Sequence, residues 1–245
     1  MTSFPEFLAL IDDRSAALRS AAVDLDARVP GCPEWTQRDL VVHLGRVQRW
    51  WSVIVTAGPA TGAPPFHERG DLEPNGNLLD WSAESTRMLL AALGEVGPDA
   101  GCWTWWPLSD APQTSGAVAR HQVQEAGVHA YDAQEAIGKP EPIPAAVAVD
   151  GVAEFLQVTY GAEGAWPHRP ARVAFVASEG PSWILDLTPE GAKLDPAASG
   201  EAVTTVSGSA GDILLALFGR VPLDRLRIDG DAAVFDELRG WGDTT

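Results

Sequence analysis

Gly138, Pro140, Pro142 and Pro144 interrupt the chain within a few residues. No helix or central strand runs through such a segment, because proline lacks the amide hydrogen both ladders need. The chain is therefore read as two parts, residues 1–142 and 143–245. Before the break the apolar residues recur at helical spacing. Ser3 and Glu6 frame a capping box with Pro5 near the first helical position, and Phe7, Leu8, Ile11, Leu18, Ala22 and Leu25 carry one face towards Pro30-Gly31. Thr36 and Asp39 open a second helix that takes Leu40, Val41, Leu44, Val47, Trp51 and Ile54 to Gly58. A Pro- and Gly-rich loop from Pro59 to Gly76 follows, of a length that often carries function. A third helix is expected from about Leu79 to Glu95. A fourth runs from Ser115 to Ile137 and is stopped at Gly138. Four amphipathic helices in succession predict a helix bundle.

After the break the period changes. A short helix is expected around Val152 to Val158. Residues 171–176 and 183–187 then read as strands joined by Glu179-Gly180-Pro181, with further strand signals at 202–206 and 226–228 and a helix at 212–218 between them. The expected fold class is α+β, an N-terminal four-helix bundle followed by a small α+β domain. With 45% apolar and 21% charged residues both parts can bury a core. The 34 acidic residues against 17 basic ones leave a net charge of −17, which excludes a nucleic-acid binder, since phosphate contacts need clustered positive charge. No run approaches the ~20 apolar residues of a membrane span. The two cysteines, Cys32 and Cys102, and an N-terminus without a basic, then apolar, segment point to a cytoplasmic protein with free, small and buried thiols, and a monomer is expected. Three of the ten tryptophans crowd into Trp103–Trp106, as packing between loop and bundle or as the wall of a pocket mouth.

The chemistry concentrates in the fourth helix. Glu125 and His129 are four residues apart, about 40° around the axis, and share one face. His43 lies about two turns after the cap of the second helix, and facing helices of a bundle bring such residues around one ion. Two imidazoles and a carboxylate make a ligand set with an open position, as in catalytic zinc. Nickel, iron or cobalt suit the same donors. A Glu and a His one turn apart also occur on ordinary helix faces, so spacing alone leaves both readings open. His121, one turn before Glu125, either substitutes as a ligand or faces solvent. Asp132, three residues after His129, either orients that imidazole or belongs to a solvated face.

The runs Gly31–Leu44, with its Pro-Glu-Trp-Thr-Gln-Arg-Asp-Leu-Val-Val-His-Leu core, and Glu125–Asp132 resemble two segments of the mycothiol-dependent maleylpyruvate isomerase family. Gly208–Leu215 followed by Gly219-Arg220, and then Ile228–Asp231, resemble its C-terminal domain. That resemblance spans nearly the whole chain. It implies a DinB-like metal-binding bundle followed by a domain related in shape to sterol-carrier folds, with His43, Glu125 and His129 as zinc ligands. Mycothiol is the implied thiol cosubstrate. Coordination to a divalent cation turns a thiol into a thiolate at neutral pH. In an isomerase that thiolate adds to an activated double bond of a small electrophile, permits rotation and leaves; in an S-transferase it stays attached. Arg220 matches an arginine of the family and is a candidate fork for a substrate carboxylate, with Arg87 on the third helix as a second candidate. Two other classes remain: a metal hydrolase using bound water, and a metal-stabilised, non-enzymatic ligand-binding module.

Overall fold

A computed structural model describes residues 2–65, 71–195 and 200–242. Part of the Pro59–Gly76 loop, and with it His67, lies outside the described residues. The chain divides into two compact units, one made of Met1–Trp105 with Pro112–Ile143, the other of Trp106–Ala111 with Pro144–Thr245. The tryptophan-rich loop is thus split between them. Trp106 is fully buried, and Ser109 Oγ donates to the Gln157 carbonyl at 2.7 Å, which fixes this short segment to the second unit.

The first unit is built on four helices: α1 (Phe4–Ala21), α2 (Gln37–Ala57), α3 (Leu78–Val96) and α4 (Ser115–Ala136). Their starts follow from capping chemistry. Glu6 accepts from the Ser3 amide at 2.6 Å, Asp39 from the Thr36 amide at 2.9 Å, and Asn77 Oδ1 takes the Leu79 and Asp80 amides. The first helix ends earlier than its apolar spacing suggests. After Ala21 the chain turns and forms a small antiparallel hairpin, β1 (Arg28–Val29) with β2 (Cys32–Thr36), around Pro30-Gly31. Val29 is fully buried there, so the apolar residues beyond Ala21 serve the hairpin's packing rather than another helical turn.

Helix α1 packs against α3 and α4, and α2 packs against α3 and, less closely, α4. Sequence neighbours α1 and α2 therefore sit across a diagonal, as do α3 and α4. The α2–α3 approach requires Gly45, because a Cβ there would fall within 3.0 Å of three carbons of the buried Trp81 ring. A polar bridge crosses the core, where Gln48 donates to Ser15 Oγ and accepts from Thr86 Oγ1, both at 2.8 Å. Among the described residues no helix is long and apolar enough to cross a membrane.

The second unit opens with α5 (Ala145–Ala162), which begins directly after Pro144 and is far longer than the short helix expected there. Strands β3 (Ala171–Ala177), β4 (Ser182–Thr188), β5 (Gly191–Asp195), β6 (Thr204–Gly208) and β7 (Arg227–Gly230) form a sheet in the order β5-β4-β3-β6-β7. Among the described residues, the β3–β6 pair is the parallel one and the other pairs of this sheet are antiparallel. Helices α6 (Ala210–Leu217) and α7 (Ala232–Trp241) pack on β3 and β6, with Phe175 and Phe235 edge to face at 6.0 Å. Strand β5 and helix α7 escape the sequence reading. The first is a five-residue edge strand holding a lysine and an aspartate; the second has buried residues only at Val234, Phe235 and Leu238. The fold class is α+β, with the helical part first and the sheet second.

Candidate metal centre

The register of α2 against α4 is set by a buried amide. Gln37, the first residue of α2, is fully buried, and its Nε2 donates to the Ala133 carbonyl of α4 at 2.8 Å and to the Ala21 carbonyl of α1 at 3.0 Å. Two turns further along α2, this brings His43 opposite the Glu125–His129 face. His43 Nε2 lies 2.9 Å from Glu125 Oε1, and His129 Nε2 lies 3.4 Å from the same oxygen. One donor atom from each of the three side chains falls within 4.8 Å of the others. The imidazoles stand nearly perpendicular, 5.0 Å between centroids.

Asp132 is completely buried, and its Oδ2 accepts from His129 Nδ1 at 2.9 Å. Of the two readings the sequence allows for Asp132, the structure realises the orienting one. The contact places the proton of a neutral His129 on Nδ1 and leaves Nε2 facing Glu125 and His43. Without a cation the cluster is an ion network. Burial alone would raise the Glu125 carboxyl, but the charge of His129 and hydrogen bonds from both imidazoles hold it well below the usual carboxylate range. Burial alone would lower His129, but the Glu125 charge, reinforced by Asp132, pushes it up to about 9. The donor set fits a divalent cation: two nitrogens and a carboxylate converge, and a positive charge is what these carboxylates already attract.

Trp35 forms one wall. Its ring lies 4.8 Å from that of His43 and 6.1 Å from that of His129. Its position has a sequence signal, since it directly precedes the Thr36 cap and packs on the cluster containing Leu40, the spacing of a hydrophobic staple. Gln37 carries no comparable signal, because its partners lie on other helices.

The remaining candidates are placed elsewhere. His121 is neither a member of the donor cluster nor turned simply to solvent; it meets Trp51 and Trp105 edge-on, at 6.2 and 5.6 Å. Arg87 lies on the exposed side of α3 and pairs with Glu84. Arg220, in the second unit, is half-buried and donates from Nη1 to the Phe218 carbonyl at 2.8 Å. Cys32 and Cys102 are both free thiols; Cys102 is buried as expected, whereas Cys32, on the β1–β2 hairpin, is only half-buried, and burial pushes the Cys102 thiol up to about 11, which keeps it protonated and inert.

Fold and site together define a two-part α+β protein whose helical bundle carries a convergent His-Glu-His cluster. Residues 8–134 match the family model described as "Mycothiol maleylpyruvate isomerase N-terminal domain", and residues 146–237 match the "MDMPI C-terminal domain". The chain belongs to the mycothiol maleylpyruvate isomerase family, a family of enzymes. Among solved structures it is similar to the mycothiol-dependent maleylpyruvate isomerase and to a histidine-to-alanine mutant of that enzyme. Each shares 18% identity at a TM-score of 0.58, over 93% of this chain and 93% of the other. At that identity the likeness speaks for the fold. No curated protein matches the sequence.

Proposed function

We propose that this chain is a metal-dependent, mycothiol-using isomerase or S-transferase acting on a small electrophile, with His43, Glu125 and His129 holding the cation, zinc in the first instance. The observation that carries the reading is the convergence of three donor atoms within 4.8 Å beside a His129 oriented by a buried carboxylate. When bound, the cation supplies the Lewis acidity that brings a thiol from its ordinary pKa of ~8.5 to thiolate at neutral pH. The protein's own groups prepare for this. Glu125 stays ionised, Asp132 keeps His129 Nε2 presented to the cluster, and the Trp35 ring packs beside both imidazoles. The cysteines of the chain take no part, because the nucleophilic sulfur comes with the cosubstrate.

For the electrophile's carboxylate we assign Arg220 rather than Arg87. Both lie within segments that the family models match, but the Arg87 guanidinium is engaged by the Glu84 carboxylate on an exposed face, whereas Arg220 is half-buried and donates to the neutral Phe218 carbonyl. We place the protein in solution in the cytoplasm, as a monomer. Zinc content and thiol binding test the reading. His43→Ala and His129→Ala should each lose zinc while keeping most helicity, and zinc-loaded wild type should bind mycothiol by calorimetry. Unchanged metal content in both variants removes the site. No heat with mycothiol, together with turnover of a water-labile ester, replaces the thiol enzyme by a hydrolase.

A further inference from the structure

At the far end of the same two helices lies a ring cluster that the metal centre does not use. Trp51 and Trp103 are stacked at 6.4 Å, Trp50 contacts them at 5.4 and 5.7 Å, and His121 bridges Trp51 to Trp105 edge-on. Trp51 is buried, but Trp50, Trp103 and His121 are only half-buried and Trp105 keeps 37% of its surface. The registers are informative. From His43 to Trp51 on α2, and from His129 back to His121 on α4, the step is eight residues in opposite directions, so the helices are antiparallel. At 1.5 Å per residue the rings lie about 12 Å from the donor cluster. They lie along the α2–α4 seam, which packs less closely than the α2–α3 and α1–α4 pairs.

Gln122 and Thr104, in these segments, have no hydrogen bond from their side chains. Gln122 is fully buried with both Nε2 and Oε1 unsatisfied, and Thr104 Oγ1, between Trp103 and Trp105, is unsatisfied in a residue only 1% exposed. Gln122 shares the α4 stripe of His129, about 20° apart around the axis, one turn nearer the rings than Glu125. A leucine would fill the same space without desolvating an amide, so packing does not account for a glutamine there.

We propose that the Trp50–Trp51–Trp103–Trp105–His121 rings, with Gln122 and Thr104, form the subsite for the glycosidic body of the thiol cosubstrate, whose sulfur reaches the His43–Glu125–His129 end. Aromatic faces pack on the C–H faces of a sugar, and a few fixed polar groups take its hydroxyls. This rests on the mycothiol reading above, and the test separates the two. Zinc-loaded wild type, Trp105→Ala and Gln122→Leu are titrated by calorimetry and by tryptophan fluorescence with mycothiol and with N-acetylcysteine, which carries the thiol without the glycosidic body. Both substitutions should weaken mycothiol about tenfold or more and leave N-acetylcysteine within about twofold. Gln122→Leu should also raise the Tm of the thiol-free protein, as loss of a structural hydrogen bond would not. Wild-type affinity for mycothiol in both variants, or equal weakening of both thiols, overturns the subsite while the mycothiol reading stands. Absence of mycothiol binding by zinc-loaded wild type overturns both.

Discussion

Asp132 offers the sharpest perturbation of the metal centre, because it touches no proposed substrate and contacts the proposed ligand His129 directly. Its carboxylate is fully buried and lies 2.9 Å from His129 Nδ1. Replacing it by Asn keeps the volume and an acceptor oxygen but removes the negative charge. Replacing it by Ala also leaves the Nδ1–H without a partner and opens a small void beside the imidazole. Partners of this kind typically contribute 10–100-fold to metal affinity. The expected order is therefore wild type, then Asp132→Asn weaker by about tenfold, then Asp132→Ala by about a hundredfold, or roughly 1.4 and 2.7 kcal/mol. Competition for zinc against a chromophoric chelator at fixed pH measures this directly, with far-UV circular dichroism confirming that the helices persist. The two substitutions also separate charge from hydrogen bonding. If both variants hold zinc as tightly as wild type, or if Asn is the weaker of the two, Asp132 does not orient a metal ligand.

The cluster's ionisation gives a pH signature. Without metal, His129 is raised from an ordinary 6.5 to about 9, so its stabilisation is complete below pH ~6.5 and is lost as pH rises through about 9; Glu125 is depressed, so its contribution is present above pH ~4.5 and is lost as pH falls below that. The Tm of metal-free protein should thus plateau between about pH 5 and 6.5 and fall on both sides, whereas zinc, which requires neutral imidazole, should add more stability as pH rises. A metal-free Tm that climbs between pH 7 and 9 contradicts this. Gly45→Ala should destabilise the protein by roughly 1–3 kcal/mol in urea unfolding, since the new methyl must displace the buried Trp81 ring. Cys102 should resist iodoacetamide at pH 8 in the native state, with mass spectrometry as the check; rapid native labelling would mean a far lower pKa than about 11.

What the sequence discloses depends on how far apart the interacting residues lie along the chain. Capping boxes at Ser3–Glu6 and Thr36–Asp39, the Glu125–His129 face and the His129–Asp132 contact all span three or four residues, and helical geometry alone brings such residues together. Each is legible for that reason. The start of the β1–β2 hairpin resembles a helix end because Leu25 continues the apolar spacing of α1; the fully buried Val29 and the pairing of Arg28 with Thr36 reveal why the helix stops at Ala21. Strand β5 and helix α7 are hidden by composition, since an edge strand can carry Lys193 and Asp195 and a short helix need bury only Val234, Phe235 and Leu238.

His43 shows where local reasoning reaches its limit. Its distance from the Thr36 cap fixes the α2 face it occupies, but nothing within α2 says which helix that face meets. Helix α2 lies diagonal to α1 and beside both α3 and α4, and His43 is on the side that meets α4, the helix two places further along the chain, so the contact to Glu125 crosses 82 residues. The groups that set how α2 packs are likewise remote from their partners: Gln37 reaches 96 residues to Ala133 on α4, and Gly45 admits the Trp81 ring of α3. Neither residue has any chemistry to advertise. A glutamine at the start of a helix reads as solvated, and a glycine within one reads as a weakness in the helix. Donor identity is therefore a local property that the sequence displays. The donor geometry depends on a buried amide and a missing methyl group, and for that reason it emerges only once the four helices are assembled.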